Sequence, residues 1–225
     1  MNHFGRCLTS IALLWMLGGA PQAGAAALRI LALGDSYTIG EGVPASQRWP
    51  MQLAEGLRGE GLTPADPVIV ARTGWTTDEL QRAVAGADLD PPYDLVFLLI
   101  GVNDQYRGRS VEDYRPRFRG LLDEAISLAG NRPGGVIVLS IPDYSVTPFA
   151  QRGNPERIAE ELARYNAVTK SESDSLRVFY VDITSISKEA GTDASLLAPD
   201  GLHPSGKMYR LWVEKVLPVV LAVLK

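Results

Sequence analysis

The chain has 225 residues, a formal net charge of −4, one cysteine and two histidines. That length fits one domain with a sizeable core, and a lone cysteine excludes an internal disulfide framework. The acidic balance gives no support for nucleic-acid binding, which draws on basic surfaces.

Residues 1–25 read as a secretory signal peptide. Arg6 is the only charged side chain there, Ile11–Leu17 is apolar but too short to span a bilayer, and Ala23-Gly24-Ala25 has the A-x-A form of a cleavage site. A buried N-terminal helix is the alternative, and Gly18-Gly19 and Pro21 argue against it. Cleavage after Ala25 (Ala27 also fits) leaves residues 26–225 as a single domain, exported to the periplasm or beyond. Arg6 departs with the peptide, so 21 Lys and Arg face 26 Asp and Glu, a net charge of −5. Cys7 and His3 depart as well. No cysteine lies near the cleavage point to carry a lipid anchor. Thiol nucleophiles and Cys- or His-rich zinc sites are thereby excluded, while a mainly carboxylate metal site is not. Any imidazole chemistry must use His203.

Five apolar, β-branched runs follow: Leu28–Leu33, Pro67–Ala71, Asp94–Ile100, Gly135–Ile141 and Arg177–Ile183. The third and fourth are continuous rather than alternating, as strands buried on both faces are. Helical patterns lie between and after them. Gln47–Arg58 spaces Trp49, Leu53 and Leu57 four apart; Thr76–Val84 opens with Thr76 and Glu79 as a capping box. Ser110–Ala129 and Glu156–Thr169 carry apolar stripes. Met208–Leu224 is strongly apolar, but Glu214, Lys215 and Pro218 favour a kinked helix on the sheet over a membrane span. No internal repeat, low-complexity stretch or linker interrupts the alternation. The pattern predicts one α/β domain, a parallel sheet with helices on both faces.

Ligands of such folds bind beyond the carboxyl ends of the strands. Gly34-Asp35-Ser36-Tyr37 follows the first run, Ala71-Arg72-Thr73-Gly74-Trp75 the second and Gly101-Val102-Asn103-Asp104 the third; Asp200-Gly201-Leu202-His203-Pro204 comes after the fifth, across a longer loop. Topology alone brings all four to one edge. Ser36 needs a base to become nucleophilic at neutral pH, and His203, with Asp200 three residues before it, is the candidate. Pro204 suits the first turn of the helix that follows. The Ser36 N–H, the Gly74 N–H and the Asn103 amide are candidate donors to an oxyanion. Taken singly, each has a plainer reading: a capping or turn serine, a surface histidine, a turn glycine, an Asx-turn asparagine. Their convergence on one sheet edge favours the chemical reading.

These four blocks, in this order, resemble the signature blocks of the GDSL, or SGNH, hydrolases, and the resemblance runs from about Leu28 to the end of the chain. It implies a flavodoxin-like three-layer α/β/α sandwich with a five-stranded parallel sheet. It also implies Ser36 as nucleophile, Asp200 and His203 as its partners, and Ser36, Gly74 and Asn103 as the oxyanion hole. No metal and no cofactor are implied. Tyr37 replaces the leucine of the first block, a difference that bears on pocket lining.

The expected function is an exported serine esterase that hydrolyses carboxylic acyl esters through an acyl-enzyme, its partner a small-molecule ester. A thioesterase or lysophospholipase, a carbohydrate O-deacetylase and an acyltransferase would use the same residues. A flavodoxin-like binding protein is the non-enzymatic alternative. It lacks a P-loop lysine and a G-x-G-x-x-G fingerprint, and it leaves Asp200, His203 and Asn103 without a common purpose. Of the remaining residues, Asp35 and Asp104 read as turn-formers, and Tyr37, Trp75, Tyr106 and Tyr144 as pocket lining or packing. Arg107 and Arg109 read as a solvated basic loop or a contact for an anionic substrate. Arg115, Arg117 and Arg119 read as the wet face of a helix.

Overall fold

The computed structural model describes residues 27–225 and Met1; the expected signal peptide, beyond Met1, lies outside the described residues, as do His3 and Cys7. Five strands, β1 (Ile30–Gly34), β2 (Val68–Ala71), β3 (Leu95–Leu99), β4 (Val136–Leu139) and β5 (Phe179–Val181), form one sheet in the order β2-β1-β3-β4-β5. Every pairing is parallel. The sequence-based ranges overrun the strands by one or two residues at most ends, while the first stops one residue short of Gly34.

The three central strands are buried along their whole length. Their unbroken apolar runs follow from helices covering both faces. On one face α2 (Trp49–Gly59) packs against α8 (Gly206–Val223); on the other, α5 (Val111–Leu128) lies between α3 (Thr77–Gly86) and α6 (Pro155–Leu176). Trp49 of α2 meets Phe97 of β3 edge to face at 5.3 Å. Tyr114 of α5 packs on Tyr165 of α6 at 4.5 Å and donates its hydroxyl to the Ile100 carbonyl at 3.1 Å. The domain is thus the expected three-layer α/β/α sandwich. Among the described residues no helix is long and apolar enough to cross a membrane, and α8 packs in the core through Met208, Tyr209, Trp212 and Val216.

Two features of the sheet position the loops. After β1 the chain steps to β2 on one side and then returns to β3 on the other, which makes the carboxyl end of β1 a switch point in strand order. Gly34, the last residue of β1, is in register with Ala71 of β2 and Leu99 of β3. Three strands therefore end level, and their loops open side by side.

Arg115 and Arg119 are solvent-exposed on α5, as the wet-face reading expected, and both also bridge α5 to α6 by ion pairs with Glu172, at 2.5 and 3.2 Å.

Candidate active site

The first loop turns sharply. A Cβ at Gly34 would press on the Thr38 side chain and stand 2.5 Å from the Leu99 carbonyl oxygen, so only glycine lets the chain leave the sheet there. Asp35 caps the four-residue α1 (Ser36–Ile39) by accepting the Tyr37 N–H at 3.0 Å, as its turn-forming reading expected. Ser36 is the first residue of α1 and is 5% exposed. Burial pushes the Asp35 carboxyl up to about 8, and its second oxygen is buried without a hydrogen-bond partner.

The second loop is a turn closed by the Trp75 N–H on the Arg72 carbonyl at 3.2 Å. Gly74 holds its third position with φ +85°, the left-handed value that a type II turn needs there. The capping box of α3 forms as expected between Thr76 and Glu79.

The third loop enters α4 (Val102–Tyr106), which carries Asn103. The Asn103 amide donates to the Trp75 carbonyl at 2.9 Å, and its second N–H is left over for another acceptor. Asp104 is more than a turn-former. It is wholly buried, accepts the N–H and hydroxyl of Thr77 at 2.9 and 2.8 Å, and pairs with Arg109 at 2.9 Å. Burial pushes its carboxyl up, against the pull of Thr77 and Arg109. Arg109 also pairs with Asp78 at 2.5 Å, and Arg107 donates to the Gly74 carbonyl at 2.6 Å and pairs with Glu79 at 3.3 Å. Arg107 is exposed, as its loop reading expected, yet it ties the end of α4 to the loop after β2 through Gly74 and to α3 through Glu79, whereas the less exposed Arg109 ties Asp104 of α4 to Asp78 of α3.

On the fourth loop one oxygen of Asp200 accepts the N–H groups of Leu202 and His203, both at 2.9 Å, and the other meets His203 Nδ1 at 2.7 Å. Burial opposes ionisation of Asp200, but the bonds from His203 and Leu202 outweigh it and hold the carboxyl below its usual range. Pro204 lies two residues before the first turn it was expected to occupy, because Ser205 caps α8 and the helix begins at Gly206.

Ser36, Gly74, Asn103 and His203 line one cavity of about 170 Å³, with Asp200 bonded to His203 behind it. Ser36 and His203 share this cavity without a direct hydrogen bond between their side chains; such contacts commonly tighten only around a bound substrate. Among the described residues, no acceptor is hydrogen-bonded to the N–H of Ser36 or of Gly74. The remaining wall is mostly apolar: Tyr37, Val102, Tyr106, Tyr144, Phe149 and Leu202. Tyr144 donates its hydroxyl to the buried Gln105 at 3.0 Å, and its ring packs near Phe149. Trp75 contributes its carbonyl to Asn103 rather than a ring to the cavity. Phe149 and Thr73 were not among the residues expected to line it. Phe149 lies five residues after Tyr144 in the loop after β4, and only loop shape brings it here.

A cavity with an imidazole–carboxylate pair, a serine at the start of a helix and several free N–H donors can carry out acyl transfer. Residues 32–211 match the sequence profile of the GDSL-like lipase/acylhydrolase family. The chain is 31% identical over 143 residues to an arylesterase from Vibrio mimicus, an alignment covering 61% of this chain and 66%, just under two thirds, of that protein. The crystal structure of TesA superposes with a TM-score of 0.69 at 18% identity, covering 87% of this chain and 99% of that one. That of the lipase/acylhydrolase from Enterococcus faecalis gives 0.68 at 23% identity, covering 87% and 96%. These two likenesses show the fold.

Proposed function

The chain belongs to the GDSL-like lipase/acylhydrolase family, the serine hydrolases of ester bonds, and we propose that it cleaves small carboxylic acyl esters with Ser36 as nucleophile, His203 as its base and Asp200 as the carboxylate that orients the base. The observation that carries this reading is the 2.7 Å contact of Asp200 with His203 Nδ1, made by a histidine that shares a cavity with Ser36. An ionised Asp200 accepts a hydrogen bond from Nδ1–H and leaves Nε2 free to take a proton.

In the first step Ser36 Oγ attacks the acyl carbonyl carbon, its proton passes to His203, and the carbonyl electron pair becomes an oxyanion. Donors for that charge are the N–H groups of Ser36 and Gly74 and the second N–H of Asn103. Collapse of the adduct expels the alcohol, which takes the proton from His203. Water then repeats the sequence on the acyl-serine, releasing the acid and restoring Ser36. Each oxyanion donor contributes about 2.7–4 kcal/mol to lowering such barriers.

The cavity's size and lining support a short acyl or single-ring aryl group. A dry cavity of about 150 Å³ accommodates benzene, and 170 Å³ walled by Tyr106, Tyr144 and Phe149 is of that scale. A long acyl chain would have to lie outside it. Export of residues 26–225 as one domain is part of the proposal and rests on the sequence of residues 1–25.

The test is labelling with a serine-directed fluorophosphonate beside a p-nitrophenyl ester chain-length series, acetylated sugars and acyl-CoA, for wild type and Ser36→Ala. Labelling lost in Ser36→Ala, with a maximum at short or aryl esters, is expected. A wild type that neither labels nor hydrolyses any activated ester overturns the reading.

A further inference from the structure

Two oxyanion donors of the proposed reaction come from different strands. Gly74 lies on the loop after β2 and Asn103 on the helix after β3, so their spacing depends on how that loop is fastened to α4. The fastening is dense. Consecutive carbonyls of the turn, at Gly74 and Trp75, accept from Arg107 at 2.6 Å and from Asn103 at 2.9 Å. On the other side of the turn, the Thr73 hydroxyl donates to Glu41. The peptide that carries the Gly74 N–H is therefore bracketed before and after.

That bracketing has work to do at a glycine. The central peptide of a β-turn can flip between the type I and type II arrangements, which points its N–H to opposite sides. Glycine at the third position tolerates both. A Cβ at Gly74 would have open space, with Arg107 Nη2 at 3.8 Å as its nearest neighbour, so nothing packs on Gly74 itself. Trp75 anchors the end of the turn on the core, and hydrogen bonds hold the peptide planes before it. Arg107 suits the task because one guanidinium reaches two acceptors, the Gly74 carbonyl and the Glu79 carboxylate, while its own N–H closes α4 on the Asn103 carbonyl at 3.1 Å. One residue thus links the segment bearing Asn103 to the turn bearing Gly74.

We propose that Arg107 is a positioning residue for acyl transfer: it fixes the Gly74 turn against α4 so that the Gly74 N–H meets the developing oxyanion, without touching the substrate. This rests on the acyl-enzyme reading above. The guanidinium holds a carbonyl and a carboxylate and is not among the residues that line the cavity, so the role assigned to it is positioning rather than substrate contact. Its effect belongs to the transition state rather than to ground-state binding.

The experiment compares wild type, Arg107→Met, Arg107→Lys and Ser36→Ala on p-nitrophenyl acetate and on the anionic p-nitrophenyl hemisuccinate. Misplacing one catalytic group by about 1 Å costs on the order of 100-fold. Arg107→Met is expected to lower kcat by about 10- to 100-fold on both esters, with KM changed less than about twofold. Affinity for a boronic acid that forms a tetrahedral adduct with serine is expected to fall by a similar factor. Arg107→Lys, which can still reach the Gly74 carbonyl, is expected to recover part of the loss. A raised KM for the hemisuccinate alone, with kcat unchanged, makes Arg107 a substrate contact and overturns the proposal. So does an Arg107→Met enzyme with wild-type kcat and boronate affinity while Ser36→Ala is dead. Activity retained in Ser36→Ala instead removes the acyl-enzyme reading beneath it.

Discussion

Asp200 grips His203 by both its main chain and its ring: one carboxylate oxygen accepts the His203 N–H at 2.9 Å and the other meets Nδ1 at 2.7 Å. The same side chain thus sets the tautomer and the position of the backbone from which the ring projects. In the proposed mechanism these are separable contributions. Asp200→Asn keeps an acceptor for the main-chain N–H but loses the charge. It is expected to lower kcat on p-nitrophenyl acetate by up to about 10⁴-fold with little change in melting temperature. His203→Ala is expected to lose at least about 10³-fold. Near-wild-type turnover in His203→Ala would sink the assignment of the base.

Asp35 contributes to the pH dependence of stability. Burial raises its folded value to about 8, whereas an unfolded aspartate titrates near pH 3.9. Between those values the folded protein holds a proton that the unfolded chain has released, so stability falls as pH rises through the window. Asparagine can still cap α1 without titrating. The melting temperature of Asp35→Asn, relative to wild type, should therefore climb between pH 5 and pH 8. Parallel melting curves across that range would show that Asp35 does not bind a proton on folding.

Phe149 bounds the cavity from the loop after β4, against Tyr106 at 6.0 Å and Tyr144 at 6.3 Å. Removing its ring opens that wall and leaves the reacting groups alone. Phe149→Ala is expected to shift the preferred acyl length in a p-nitrophenyl series upward by two or more carbons, about the length a lost ring frees. An unchanged profile would mean that the acyl group binds elsewhere.

Asp104 is buried and satisfied by Thr77 and Arg109. Taking away one member of a buried ion pair strands the other and typically costs about 3–5 kcal/mol. Asp104→Ala should destabilise by about that much in urea titration, near the lower end because Arg109 keeps Asp78 as a partner. A loss below about 1 kcal/mol, the scale of an exposed pair, would contradict a structural role.

The strands were legible because helices cover both faces of the sheet and force continuous apolar runs. Three short helices, α1, α4 and Thr184–Lys188, were not, since four or five residues cannot display a 3.6-residue period. Helix α6 runs past the expected Thr169 to Leu176, although its last turns are polar. Glu172 there is held by Arg115 and Arg119 from α5, a tertiary contact invisible in local pattern. The four motif blocks converge as topology requires. What the sequence did not reveal is how they are joined: the bond from Thr77 to Asp104 spans 27 residues, and that from Gly74 to Arg107 spans 33. Such pairings depend on which loops face each other, and no periodicity encodes that.

The register at Gly34 has a further meaning. Its level alignment with Ala71 and Leu99 makes the hydrogen-bond ladder a ruler for the whole site. Slipping β2 by one residue would displace the Gly74 turn by about 3.3 Å and exchange its inward and outward side chains. No side chain at the rim could correct an error of that size. The tolerance of the chemistry is therefore built into the backbone pairing of three strands, which ends two residues before Ser36 and three before Gly74.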